Sequence, residues 1–176
     1  MKSIKNIALS AFLTVSAFGA VLYTSCTKDE CKDVVCQNGG TCNAGACTCP
    51  TGVGGTNCET IFRSTYVNTY VGNGTDNATP ANTYTGWRAT FSTVGTDLTK
   101  MEIVLKDNTS APLVTLPITL SDIKTSGSVF TITSTTASGY TYTGTGTVSA
   151  TVCSMTLTEK NSTETNIYTF TNMAKQ

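Results

Sequence analysis

Residues 144–171, GTGTVSATVCSMTLTEKNSTETNIYTFT, indicate most clearly which fold this sequence adopts. On each side of the polar stretch EKNSTE at 159–164, apolar residues alternate with polar ones. The alternating apolar residues are Cys153, Met155 and Leu157 before that stretch and Tyr168 and Phe170 after it. A period of two is typical of a β-strand with one buried face, and a polar stretch between two such runs marks a turn. The segment therefore predicts two antiparallel strands joined by a turn.

The same alternation recurs through the Thr-rich residues 59–176, which predicts a mainly β domain. Six further strands are predicted near 64–71, 87–93, 101–106, 113–120, 129–134 and 140–148, with turn signals at 71–80, 106–112, 125–127 and 137–139. The residues predicted to face the core are Trp87, Ala89, Phe91, Met101, Ile103, Leu105, Val114, Leu116, Ile118, Leu120, Phe130, Ile132, Tyr140, Tyr142 and Val148, with Gly144 and Gly146 on the face of the last three. Eight short antiparallel strands favour an up-and-down β-barrel, because closure removes exposed strand edges. A β-sandwich is the alternative.

The segment 144–171 is also similar to the final hairpin of small calycin-like, lipocalin-like barrels of Bacteroidetes lipoproteins. This resemblance implies a closed barrel. It also implies that a hollow interior would carry a small apolar ligand.

Seven of the eight cysteines lie between positions 26 and 58. A segment as short as 31–58 cannot bury a sufficient core and needs covalent crosslinks, and six cysteines allow fifteen pairings. The stretches CQNGGTC, from Cys36 to Cys42, and CTCPTGVGGTNC, from Cys47 to Cys58, resemble an EGF-like domain. That resemblance implies the pairs Cys31–Cys42, Cys36–Cys47 and Cys49–Cys58.

The N-terminus predicts export. Lys2 and Lys5 precede an apolar run at 7–22, and small residues follow it, which is typical of a signal peptide at residues 1–25. The stretch LYTSC, ending at Cys26, resembles the lipobox of bacterial lipoproteins. The resemblance implies a lipidated Cys26 as first mature residue, palmitate included, and anchorage in the outer membrane. The alternatives are an uncleaved membrane anchor and an ordinary signal peptide that leaves a free thiol.

Residues 26–30 are predicted to form a lipidated tether. Lys28, Asp29 and Glu30 resemble the surface-export signal of Bacteroidetes lipoproteins, which implies a protein that faces the cell exterior. The alternative is a solvated charged tether.

Some EGF-like domains bind calcium through residues just before their first cysteine, but Thr27 occupies the outermost ligand position here. We therefore expect neither calcium nor zinc at this module.

Composition excludes several functions. The chain has no histidine, which rules out His-dependent nucleophiles and His-ligated metal sites, and its formal net charge of zero offers no basic face for nucleic acid. Catalysis would need scattered carboxylates to converge, namely Asp97, Glu102, Asp107 and Asp122. We expect no enzyme and no cofactor. Cys153 and Trp87 are predicted to be core residues. The alternatives are an intermolecular disulfide or reactive thiol at Cys153 and a ligand feature formed by Trp87 with Arg88.

The sequence thus predicts a non-enzymatic lipoprotein of the outer-membrane surface. Its β-domain would be a binding module on an EGF-like stalk and would contact surface proteins or glycans. The alternative is a lipocalin-like carrier of a small apolar ligand. A barrel cavity above roughly 300 Å³ would favour the carrier.

Overall fold

The computed structural model of the chain describes residues 30–108 and 113–176. The signal peptide at 1–25, the lipidation site Cys26 and the first two export-signal residues, Lys28 and Asp29, lie outside the described residues. The predictions for these positions therefore stay predictions. No helix in the described part of the chain is long and apolar enough to cross a membrane.

The N-terminal part is a small disulfide module, residues 31–58. Its disulfides join Cys31 to Cys42, Cys36 to Cys47 and Cys49 to Cys58, which are the pairs that the EGF-like resemblance implies. Strands β1 (Thr41–Asn43) and β2 (Ala46–Thr48) form a hairpin. Its two turn residues, Ala44 and Gly45, both have positive φ, at 47° and 79°. Two consecutive positive φ angles are typical of the tight turns that join antiparallel strands.

A short connection links the module to the following domain. Strand β3 (Val53–Gly54) pairs with β4 (Thr60–Ile61), and a 3-10 helix (Phe62–Tyr66) follows at once. The backbone N–H of Phe62 donates a hydrogen bond to the carbonyl of Gly52 at 2.9 Å. A Cβ added at Gly52 would lie 3.1 Å from the Cβ of Leu98, so the module and the second domain approach each other closely here.

The second domain is a closed antiparallel barrel of eight strands. The strands are β5 (Thr69–Thr75), β6 (Thr83–Thr93), β7 (Lys100–Lys106), β8 (Val114–Lys124), β9 (Gly127–Ala137), β10 (Tyr140–Val148), β11 (Val152–Lys160) and β12 (Thr165–Lys175). Each strand pairs with the next, and β12 pairs with β5 to close the barrel. The up-and-down barrel is confirmed, and the sandwich alternative is wrong.

The strand predicted at 64–71 is wrong in its first half. Residues 62–66 form the 3-10 helix, β5 begins only at Thr69, and it continues to Thr75 through residues predicted as a turn. The physical reason is Tyr66, which is fully buried and donates a hydrogen bond from its hydroxyl to the carbonyl of Lys124. The chain therefore turns inward at Tyr66 before it enters the barrel wall.

The predicted inward faces agree with the observed burial. The buried core includes Ala89, Phe91, Met101, Ile103, Leu105, Val114, Leu116, Ile118, Leu120, Phe130, Ile132, Tyr142, Val148, Cys153, Met155, Leu157 and Phe170. Trp87 and Tyr140 are only partly buried and pack against this core. Gly146 faces the same interior, where a Cβ would lie 2.4 Å from the ring of Phe130, so glycine leaves room for that ring.

The two ends of the barrel differ. One end, called the closed end below, carries the turns at 94–99, 125–126 and 149–151 together with the 3-10 helix. Here the buried guanidinium of Arg63 donates hydrogen bonds to the carbonyls of Val94, Gly95, Asp97 and Lys100. The other end, called the mouth, carries the turns at 76–82, 138–139 and 161–164, the last residue of β7 and the first residue of β8. The disulfide module adjoins the closed end.

Candidate ligand site at the barrel mouth

A cavity of about 310 Å³ lies at the mouth. The described residues that line it are Tyr84, Trp87, Leu105, Leu113, Val114, Ser138, Tyr140, Tyr142, Leu157, Glu159 and Tyr168. Five of these eleven side chains are aromatic, and Glu159 is the one charged side chain among them. The volume falls at the lower end of the range for small-molecule sites.

The aromatic wall of the cavity is built across strand β5. The rings of Trp87 on β6 and Tyr168 on β12 are stacked, with centroids 6.3 Å apart and an interplanar angle of 28°. Tyr84 makes T-shaped contacts with both rings, at centroid distances of 6.2 and 5.8 Å. These strands are not neighbours, because β5 lies between them.

Gly74 of β5 makes this arrangement possible. Gly72 pairs with Trp87, and Gly74 pairs with Tyr84 on one side and with Phe170 on the other. A Cβ on Gly74 would lie 2.5 Å from a ring carbon of Phe170. The missing side chain at Gly74 leaves the space in which rings from β6 and β12 meet, and Trp87 contacts Phe170 there at 5.1 Å between centroids. A Cβ on Gly72 would instead approach Met173 to 2.8 Å.

Glu159 is the polar centre of the cavity. Its two carboxylate oxygens accept hydrogen bonds from the hydroxyls of Tyr142 at 2.8 Å and Tyr168 at 3.1 Å. Burial, and then the hydrogen bond to Glu159, raises the pKa of Tyr142 to about 12. Burial and the charge of Glu159 likewise raise the pKa of Tyr168. Both phenols therefore keep their protons and act as donors to the carboxylate.

A second carboxylate, that of Asp76, holds the rim residue Tyr84 in place. Asp76 accepts hydrogen bonds from the backbone of Ala78, from the backbone and side chain of Asn82, and from the hydroxyl of Tyr84 at 2.8 Å. These bonds, with the side chain of Asn82 contributing most, lower the pKa of Asp76. The hydrogen bond to Asp76 raises the pKa of Tyr84. Tyr84 is thus held in place by the turn that precedes its strand.

The cavity does not continue through the barrel as a hollow. Trp87, Leu105 and Leu157 face inward and line the cavity. On each of their strands, the next residue that faces inward lies deeper in the barrel and is buried. The rings of Phe91 and Phe130 meet there with centroids 5.5 Å apart, and Tyr70 packs on Phe91 at 5.4 Å. A ligand in this cavity would therefore rest at the mouth, above a packed core.

The structure distributes the other candidate residues widely. Asp97 and Asp122 lie at the closed end and Asp107 follows β7 at the mouth, whereas Glu102 lies within β7 and accepts a hydrogen bond from Ser92 at 3.0 Å. The four carboxylates therefore do not converge. Glu30 is exposed directly before Cys31. Cys153 is buried, and burial raises the pKa of its thiol to about 12.

Sequence reasoning missed Glu159 as a site residue. The signal was present, because Glu159 continues the inward series Cys153, Met155 and Leu157 at the same spacing of two. A charged residue in an inward register is costly unless it has partners, which makes it a candidate for function. Trp87 packs against the core, in agreement with the sequence prediction, and it also lines the cavity.

Within residues 30–108 and 113–176, no group of three or more His, Cys, Asp or Glu side chains is placed to hold a metal ion. Comparison with models of protein families finds no match, and neither curated proteins nor solved structures give a significant match.

Proposed function

We propose that this chain is a non-enzymatic lipoprotein of the outer-membrane surface that binds a small ligand at the mouth of a lipocalin-like barrel. The observation that carries this proposal is the aromatic cavity of about 310 Å³, which sits on a packed core. Its lining is mostly apolar with a few convergent polar groups, which is typical of ligand sites.

The order of the tether, the disulfide module and the barrel along the chain supports display of this cavity away from the membrane. The disulfide module adjoins the closed end, and Cys26 precedes the module by a tether that spans at most about 17 Å. Strand β6 has 11 residues, which corresponds to roughly 28 Å along the axis of a barrel with tilted strands. With lipid on Cys26, the EGF-like module would therefore serve as a stalk, and the mouth would open away from the membrane.

Our proposal places the ligand at the mouth and not in the middle of the barrel. The rings of Phe91 and Phe130 occupy the interior that a lipocalin-like carrier would use. A second candidate is contact with a surface protein or glycan through the same mouth. The observation in its favour is Leu113, an apolar residue of the cavity rim that is half exposed.

Two experiments test the proposal. Trp87 is the only tryptophan of the chain, so its emission reports directly on the cavity while the purified protein is titrated with a chemically mixed panel of small molecules. We expect members of the panel to shift the emission with saturation; a panel that produces no saturable shift would contradict ligand binding.

The proposed surface localisation is tested in intact cells with an antibody against the barrel. We expect surface labelling of the wild type and loss of membrane retention in a Cys26→Ala variant. Wild-type cells without surface signal would contradict display, and full membrane retention of the variant would contradict lipidation.

A further inference from the structure

Among the described residues, the carboxylate of Glu159 has no cationic partner. Both its oxygens accept a phenol hydrogen bond, and no lysine or arginine of the described residues lies within 4.0 Å of it. Each hydroxyl neutralises only part of a full negative charge. A carboxylate has about four acceptor positions, so two of those on Glu159 remain available. The half-buried charge is therefore placed to attract a cation.

The walls around this carboxylate are also suited to a cation. Aromatic ring faces carry negative electrostatic potential, and an ammonium group within about 6 Å of a ring centroid is attracted to it. Trp87, Tyr84 and Tyr168 form a continuous wall of rings, and Tyr140 and Tyr142 belong to the same lining. The remaining lining is largely aliphatic, with Leu105, Leu113, Val114 and Leu157. Such walls favour a cation that carries alkyl groups over a strongly hydrated ion.

Competing ligand classes fit these features less well. An anion would face the charge of Glu159 and find no basic side chain among the described residues of the lining. A neutral sugar needs several directed hydrogen bonds, but the hydroxyls of Tyr142 and Tyr168 already donate to Glu159, and Tyr84 donates to Asp76. Tyr140 donates to Glu164 at 3.3 Å. An alkylated ammonium needs none of these donors.

We infer that the mouth cavity binds a small organic cation with an alkylated, quaternary-type ammonium group, held between the aromatic wall and Glu159. This inference rests on the proposed function, because it assigns a chemical class to the ligand of the same site. The ammonium lies against Trp87 and Tyr168, and its charge is balanced by the carboxylate of Glu159.

The test compares two probes of nearly the same shape, choline and its neutral carbon analogue 3,3-dimethyl-1-butanol. Binding to the full chain is measured by calorimetry and by Trp87 emission. We expect choline to bind at least about tenfold more tightly than the alcohol, the size of a partly desolvated cation–π and ion-pair contribution. The Glu159→Gln variant should lose about tenfold in choline affinity and keep its affinity for the alcohol. A Glu102→Gln variant makes the same chemical change outside the cavity and should leave both affinities unchanged.

The outcomes separate this inference from the proposed function. Equal affinity for the two probes, or tighter binding of the alcohol, overturns the cation preference and leaves a ligand-binding cavity. Absence of choline binding also overturns it, and the mixed panel then decides whether the cavity binds another class. Should the Glu159→Gln variant fold poorly, as judged by near-ultraviolet circular dichroism, the wild-type comparison of the two probes still decides the question.

Discussion

Gly74 lies directly against the ring of Phe170, so that a Cβ at position 74 would approach two ring carbons to 2.5 and 2.6 Å. This contact is what allows aromatic side chains from β6 and β12 to meet over β5. Cores tolerate added volume poorly when the neighbours cannot move. Phe170 is fully buried and touches Trp87, so its displacement would be transmitted to the cavity wall.

A Gly74→Ala substitution should therefore destabilise the barrel by about 1–3 kcal/mol and weaken ligand binding at the mouth. Chemical denaturation measures the first effect, and titration of Trp87 emission measures the second. Thr75→Ala, at the exposed neighbouring position, is the control; it should leave ligand binding unchanged and cost less stability than Gly74→Ala, at most about 1 kcal/mol from lost strand propensity. A Gly74→Ala protein as stable as the wild type would show that the ring of Phe170 has free space.

Arg63 should stabilise the closed end through its hydrogen bonds to four backbone carbonyls. An Arg63→Ala variant removes a buried side chain together with the donor of these part-buried hydrogen bonds, and we expect it to lose about 2–3 kcal/mol of unfolding free energy. Arg63→Lys keeps the charge but cannot reach four carbonyls with a single ammonium group, so an intermediate loss is expected. Equal stability of all three proteins in urea denaturation would contradict this role.

The Cys49–Cys58 disulfide should stabilise the module far more than the barrel. Cys58 is fully buried within the module, and the bond closes a loop with a sequence separation of 9. A Cys49→Ala/Cys58→Ala double variant should destabilise the module by about 2–3 kcal/mol. Hydrogen exchange should show faster exchange at the β1–β2 amides and unchanged protection in β7–β9. Equal acceleration in the barrel strands would instead show that the two parts unfold together.

Cys153 should make the stability of the barrel sensitive to high pH. Burial raises the pKa of its thiol from the ordinary 9.0 to about 12, so the folded protein holds this proton more tightly than the unfolded chain does. The contribution is fully present below pH 9 and is lost as the pH rises from 9 towards 12.

The check is a comparison of the wild type with a Cys153→Ala variant between pH 8 and pH 11. The variant loses stability at every pH because it leaves a small cavity, but its stability should fall less steeply above pH 9 than that of the wild type. Parallel curves for the two proteins would mean that the thiol does not contribute to the pH dependence.

The barrel and most of its inward residues were predictable because alternation at a period of two is a local property of each strand. The start of the strand predicted at 64–71 is wrong because Tyr66 and Tyr70 are both buried although they belong to different elements, the 3-10 helix and β5. Residues four positions apart would also share one face of a single strand. A local sequence pattern does not distinguish one strand from a 3-10 helix followed by a strand.

The cavity was not predictable in the same way. It depends on the register of three strands, in which Gly74 of β5 lies opposite both Tyr84 and Phe170. A sequence does not contain that pairing as a local pattern. The meeting of Tyr142 and Tyr168 at Glu159 uses three consecutive strands, and Tyr142 pairs directly with Glu159 between β10 and β11. The aromatic wall is different, because only closure of the barrel brings β12 beside β5.

The most direct test of the account is a binding comparison at two adjacent positions of β12. Tyr168 lines the cavity, whereas Ile167 points outward and is partly exposed. Leucine is introduced at each position in turn, as Tyr168→Leu and Ile167→Leu. The affinity of a compound that shifts Trp87 emission is then measured for both proteins. The account predicts about tenfold weaker binding for Tyr168→Leu, the size of a lost aromatic contact, and wild-type affinity for Ile167→Leu. Equal affinities for the two folded variants would contradict it.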